Sequence, residues 1–324
     1  MLATSCIHLL EQLKIDTKIT WFGRDPSLDL ISKAYPYIKC CHISKDTKAH
    51  EILPLLEPVD ILVDLQANLR SRIITHYFKK NYKRPVFTSA KLHLKRNRFI
   101  LEGRLYSRRR RLPDSARKGF RHQFQIMQDT LIAALHKSKI ITDSSTRSLT
   151  SKIAPQLPIQ NIKESSALSV LDPKTTWLAI APGASYKTKQ APKRLIMEIL
   201  ETTTKAWKNK HANNLGLVFL GDLADQKLCD DMIHSLSPRE HLVNFAGKLS
   251  LCQSTHALNK STCLLSNDSA LVHLAEAVNT PASVLFGPTV EGFGFAPHHE
   301  KSKAYSSMLG CRPCSKHGKT PCRF

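Results

Sequence analysis

From Trp177 to Phe286 the sequence alternates short apolar runs with stretches whose apolar residues recur at helical spacing. The runs are Trp177 to Ala181, Leu215 to Leu220, Cys263 to Leu265 and Ala282 to Phe286, and the helical stretches are Arg194 to Thr204, Gln226 to His234 and Ala270 to Val278. Strands separated by helices of this length are expected to run parallel, in a doubly wound α/β sheet with right-handed crossovers. Ligands of such sheets sit beyond the carboxyl ends of the strands, where loops meet helix N-termini. The residues just after each apolar run are therefore the first candidates for function.

The N-terminal half shows the same alternation more faintly. Lys18 to Gly23 and Asp60 to Asp64 read as strands, the segments around Ile7 to Leu13 and Ser71 to Phe78 as helices, and Phe124, Met127, Leu131 and Leu135 fall at helical spacing. A Ser-, Thr- and Pro-containing stretch, Ser144 to Thr175, follows with little periodicity. With 324 residues the chain exceeds what one core usually serves, so two domains are expected, 1–165 and 166–324. No run reaches the roughly 18 apolar residues of a membrane span, and the first residues lack a signal-peptide pattern, which predicts a cytoplasmic protein.

The formal net charge of +22 calls for a polyanionic partner: nucleic acid, an anionic membrane surface or a phosphorylated glycolipid. Twelve Lys or Arg against two acidic residues fall between Lys91 and His122, including Arg108 to Arg111. The nine cysteines are an odd number, and Cys6, Cys40, Cys41, Cys229, Cys252 and Cys263 read as reduced core residues. Cys311, Cys314 and Cys322 with His317 have a spacing that could suit zinc, but only one Cys-x2-Cys pair is present and reduced thiols in a loop are favoured.

Two strand ends carry chemistry. After Ala181 comes Pro182-Gly183-Ala184-Ser185-Tyr186-Lys187-Thr188-Lys189, with Pro192 near the start of the next helix. Small residues let a ligand approach the backbone, Ser185 can donate to a phosphate oxygen and Lys189 can neutralise diphosphate charge. The plainer reading is a surface turn with solvated lysines. After Leu265, the residues Asn267-Asp268-Ser269-Ala270 lead into a helix bearing His273. Capping by Asp268 or Ser269 is the plainer role there, and a packed core position the plainer one for His273; a pyrophosphate seat competes with both.

These motifs, in order with Gly221-Asp222-Leu223-Ala224-Asp225, Ala246-Gly247-Lys248-Leu249-Ser250 and Phe286-Gly287-Pro288-Thr289, resemble glycosyltransferase family 9, the heptosyltransferases of lipopolysaccharide core assembly. The resemblance extends upstream through Asp64-Leu65-Gln66-Ala67-Asn68-Leu69-Arg70. It implies two Rossmann-like domains facing a cleft, the GT-B architecture. Ser185 and Lys189 would meet the donor diphosphate, Asp225 the ribose and Leu249 the adenine. Asp268, Ser269 and Ala270 would hold the sugar and diphosphate end, with His273 close by. Gln66, Asn68 and Arg70 would face the acceptor. Ala270 departs from the family's usual Gly, although its N–H remains available. By position the family's general-base Asp would precede Met1, so the resemblance implies a chain without the first strand, without the C-terminal helices and with no assigned catalytic base.

The resulting expectation is an inverting transferase that moves heptose or a related sugar from an ADP-sugar to an anionic inner-core lipopolysaccharide acceptor. It would be peripheral on the inner face of the inner membrane, with no metal and no cofactor. The alternatives are a catalytically inactive relative that still binds nucleotide sugar and a basic nucleic-acid-binding protein. The last rests on charge alone, so no nucleic-acid partner is expected. Reversing the charge of Arg108 to Arg111 should reduce binding to anionic liposomes, and the wild-type interaction should weaken with added salt. If liposome co-sedimentation is unchanged and only DNA binding is lost, the nucleic-acid alternative gains.

Overall fold

A computed structural model describes residues 1–44, 46–56, 59–89, 93–105, 121–142, 153–237, 241–319 and 321–322. The chain divides into two compact units, Met1–Leu94 with Arg121–Asn161, and Lys95–Phe120 with Ile162–Phe324. Arg108 to Arg111 lie outside the described residues.

The first unit runs α1 (Thr4–Gln12), β1 (Thr20–Gly23), α2 (Ser27–Ala34), β2 (Lys39–His42), α3 (Ala49–Ile52), β3 (Leu62–Asp64), α4 (Leu69–Tyr82) and β4 (Val86–Thr88). Helix α5 (His93–Leu105) comes next in the chain, and α6 (Gln123–Lys137) returns to this unit. Strands β1 and β2 pair in parallel, as do β3 and β4. Helices α1 and α6 share a core of Cys6, Leu9, Leu131, Leu135 and Ile141, while Phe78 of α4 is buried with Ile52 and Leu56. Strand β2 and helix α2 were not evident in the sequence. The short Lys39-Cys40-Cys41-His42 strand is exposed at both ends, and its cysteines are half-buried rather than core residues, as is Cys263.

In the second unit β5 (Thr176–Ala181), α7 (Lys193–Lys208), β6 (Leu215–Phe219), α8 (Gln226–Ile233) and β7 (Leu242–Asn244) build one half of the sheet. Helix α9 (Leu251–Asn259), β8 (Ser261–Asn267), α10 (Ala270–Ala277), β9 (Ala282–Phe286) and β10 (Lys303–Ser306) build the other. The spatial order is β10-β9-β8-β5-β6-β7, every neighbouring pair parallel, as the apolar-run pattern predicted. The chain starts in the middle at β5, winds outward through β6 to β7, then crosses back to β8 and winds the other way. The loops leaving β5 and β8 therefore diverge from adjacent strands, which is the topological switch point where such sheets bind ligands. Strand β7 escaped the sequence reading because it has three half-buried residues; α9, also unread, opens on a capping box between Ser250 and Gln253.

Helix α5 falls within the expected 1–165 domain, yet from Lys95 onward it groups with the second unit. Arg96 is buried, its guanidinium 4.9 Å from the Phe295 ring centroid, and it donates to the Phe293 carbonyl at 2.5 Å. Ile100 packs against Val290 and Phe293. Burial pulls the Arg96 pKa below its ordinary value. The core under the sheet gathers Ile180, Leu217, Phe219 and Leu265 with Ile196, Leu200, Cys229 and Met232 from the helices. Phe219 is fully buried, so Phe219→Ala should lower stability by about 3–5 kcal/mol, read as a shift in the denaturant midpoint of the second unit's transition.

Candidate functional site

One side chain pins the loop after β5. Asn267, the last residue of β8, is 1% exposed. Its Nδ2 donates to the carbonyls of Pro182 (2.7 Å) and Gly183 (3.3 Å), and its Oδ1 accepts from the Ala191 N–H (2.9 Å). Both ends of the loop are thus tied to the strand beside it. Between those ties Lys187–Lys189 form a 3₁₀ turn. The Lys189 ammonium reaches across the switch point to Asp268, with Nζ 2.6 Å from Oδ2 and 3.1 Å from the backbone oxygen. Thr289, in the loop after β9, donates to the same Oδ2 at 2.7 Å. Both charged side chains are only 16% exposed, so their pairing is felt at reduced dielectric.

Asp268 and Ser269 do not cap α10. Ser269 occupies the N-cap position in an extended conformation without a side-chain cap hydrogen bond. Its hydroxyl lies 3.0 Å from that of Ser266, and the Asp268 carboxylate is turned to Lys189 and Thr289. The plainer capping role is therefore corrected: Lys189 and Thr289 hold the Asp268 carboxylate, and the Ser269 hydroxyl lies beside that of Ser266. The exposed Ala270 begins the helix, whose first amides carry a partial positive charge. His273, one turn along, is half-buried with its ring 6.3 Å from that of Phe295.

Asp225 packs against the glycines of two strand ends. A Cβ at Gly183 would stand 2.1 Å from its carboxylate, and one at Gly221 2.7 Å from its Cβ and Oδ2. The carboxylate accepts the Asp222 N–H at 3.1 Å. Burial raises the Asp225 pKa above its ordinary value, opposed by that N–H and reinforced by the charge of Asp222. Leu249, half-buried, follows Gly247, whose φ of +73° and close approach to Leu223 both require a glycine. Ser185 is exposed on the β5 loop.

The tail reaches the same turn. Thr188 Oγ1 donates to the carbonyl of Gly318, 130 residues away, and a Cβ on Gly318 would stand 2.8 Å from Lys189 Cγ. Arg312 is 2% exposed and donates to the carbonyls of Gly287 (2.6 Å), Thr289 (2.6 Å) and Ser307 (2.5 Å), fastening the tail to the β9 loop. Asn267 and Thr289 stood inside recognisable motifs but carried no assigned role. Arg312 and Gly318 gave no sequence signal, because their partners are distant in the chain. Among the described residues no group of three or more His, Cys, Asp or Glu is placed to hold a metal.

In the first unit Gln66 and Asn68 bond within their own loop, and Arg70 ties the start of α4 to the segment after β2. Asn68 caps α4 by accepting from the Ser71 N–H (2.8 Å) and donates to Gln66 Oε1 (2.9 Å). Arg70 donates to the carbonyls of Ser44 (2.7 Å) and Thr47 (2.6 Å). Buried Asp64 accepts from the N–H groups of Gln66 (3.0 Å) and Ala67 (2.8 Å) and from the Ser71 hydroxyl (2.8 Å).

The profile of glycosyltransferase family 9 (heptosyltransferase) matches residues 125–322. The chain belongs to glycosyltransferase family 9. This family 9 chain is 25% identical over 146 residues to lipooligosaccharide heptosyltransferase 2 of Haemophilus influenzae, an alignment that spans 42% of this chain and 40% of that relative. Among solved structures it resembles E. coli ADP-heptose LPS heptosyltransferase II, with a TM-score of 0.64 and 17% identity over 94% of this chain and 86% of that one. It also resembles E. coli heptosyltransferase WaaC with ADP-2-deoxy-2-fluoro heptose, with a TM-score of 0.62 and 12% identity over 95% and 90% of the two chains. The fold is the GT-B type of these glycosyltransferases. No helix among the described residues is long and apolar enough to cross a membrane.

Because Asn267 holds the family 9 loop at three points, Asn267→Ala strands two carbonyls and one amide. It should cost about 1–3 kcal/mol and raise limited proteolysis within residues 182–192, with mass spectrometry of the fragments locating the cuts.

Proposed function

We propose that this chain transfers heptose or a related sugar from an ADP-sugar, with inversion, to an anionic inner-core lipopolysaccharide acceptor. The observation that carries this reading is the Lys189–Asp268 pair beside the uncapped start of α10, at the switch point between β5 and β8. Family membership and the heptosyltransferase likeness support it, and one of those relatives is named for its complex with an ADP-heptose analogue.

On this reading the second unit holds the donor. A lysine ammonium has three donors, and Asp268 takes two, leaving one for a diphosphate oxygen. Ser185 and the amides of Ser269 and Ala270 supply further hydrogen bonds. Asp225 meets the ribose, Leu249 lies beside the adenine, and His273 stands near the sugar end. As the anomeric bond breaks, negative charge grows on the departing ADP, and Lys189 with the helix amides stabilises it without needing to reorganise. The first unit serves the acceptor. Asp64 holds its own loop through the N–H groups of Gln66 and Ala67 and the Ser71 hydroxyl, so it is a positioning residue on this reading. Gln66, Asn68 and Arg70 order the acceptor-side loop, and the basic stretch draws the protein to the anionic inner leaflet.

Lys189→Ala should weaken ADP binding by about 1.5–3 kcal/mol, the range for hydrogen bonds to charged groups, while circular dichroism stays that of the wild type. Isothermal titration with ADP is the measurement, and an unchanged affinity would remove Lys189 from the donor site. Sugar release into a lipid-linked product, assayed on the same preparation, separates a transferring enzyme from one that only binds.

A further inference from the structure

The tail that touches Lys189 has a second side. Asn97, Ile100, Leu101 and Arg104 of α5 and Ser315, Lys316, His317 and Lys319 of the tail line an open recess of about 490 Å³. This volume suits a sugar-sized ligand. None of the described residues lining it is acidic, while Arg104, Lys316 and Lys319 are cationic. The local field is strong enough to act on a neighbour. The His317 pKa is pushed below its ordinary value first by burial, then by the charges of Lys316, Lys189, Arg96 and Lys319. One wall is apolar, with Ile100 buried and Leu101 57% exposed. The recess is built rather than incidental: Arg104 donates to the Cys314 carbonyl at 3.3 Å, Ser315 is buried and accepts from the Gly318 N–H at 2.9 Å, and Gly318 takes a φ of +84° that a side chain would resist.

We propose that this recess is a second anion site, separate from the Lys189–Asp268 pair, that binds a phosphate monoester carried on a sugar. Clustered ammonium and guanidinium donors favour a doubly charged phosphate over a single carboxylate, and the Ile100 and Leu101 wall gives the apolar face of a sugar ring a surface to lie on. Lys189 and Asp268 do not line it, and Gly318 stands between it and Lys189, flanked by the lining residues His317 and Lys319. The site goes beyond the donor reading above. If that reading holds, this is the chemistry of a phosphorylated acceptor.

The test is calorimetric titration of the full chain with glucose 6-phosphate, inorganic phosphate and glucose, with and without saturating ADP. Glucose 6-phosphate is expected to bind in both conditions, more tightly than inorganic phosphate, while glucose does not bind. Lys316→Glu and, separately, the milder Arg104→Gln should each weaken it by about tenfold or more. Their ADP affinity should stay at the wild-type value. Competition by ADP would assign the binding to the donor site and overturn the proposal, as would variants that bind glucose 6-phosphate normally. Inorganic phosphate binding as tightly as the sugar phosphate would remove the sugar from it. A chain that binds glucose 6-phosphate in a Lys316-dependent way but not ADP would keep this site and sink the donor reading instead.

Discussion

Parallel neighbours cannot be joined by a tight turn, so each strand of the second unit must leave at its carboxyl end, pass through a helix and return. Once the chain begins in the middle of the sheet at β5, it has to jump back over that strand to begin β8. Two adjacent strands then send their loops to opposite faces, and a gap opens above them. Asn267 closes the foot of that gap by binding both ends of the β5 loop. Lys189, Asp268 and Thr289 meet above that tie, and around it Asp225 crowds Gly183 and Gly221 while the Thr188 carbonyl crowds Gly287, so none of the three has room for a Cβ.

Much of this was legible in the sequence where the signal is local. The Ala282 to Phe286 run is β9 to the residue, and Trp177 to Ala181 and Gln226 to His234 end within a residue of their elements, because continuous burial and helical periodicity are properties of neighbouring residues. Strands β2 and β10 were missed for the same reason reversed: Lys39 to His42 and Lys303 to Ser306 mix charged and half-buried residues, and only pairing with an already formed strand makes them strands.

The site was legible as chemistry and not as geometry. The Gly-containing loop and the Asn-Asp-Ser run could each be read as an anion seat or as a plain turn and cap, and nothing local says that Asp268 would turn from its helix to hold a lysine 79 residues upstream. Nor does sequence spacing reveal that Gln66 and Asn68 bond to one another while Arg70 reaches back to the carbonyls of Ser44 and Thr47. The tail is the extreme case, since a Cys-x2-Cys pattern drew attention to thiols while the residues that dock it are Arg312 and Gly318.

On the proposed donor reading, the ion pair at the switch point also sets which anions gain by binding. A lone lysine in an open loop attracts any small anion, whereas Lys189 rests against a carboxylate that Thr289 keeps in place. A chloride or acetate offers one charge in exchange for the one it would displace and gains nothing. A diphosphate brings more than one, and can share the ammonium with Asp268 rather than evict it. On that reading, when the charge departs the carboxylate is there to reclaim its partner, so selectivity on entry and ease of exit would come from the same residue.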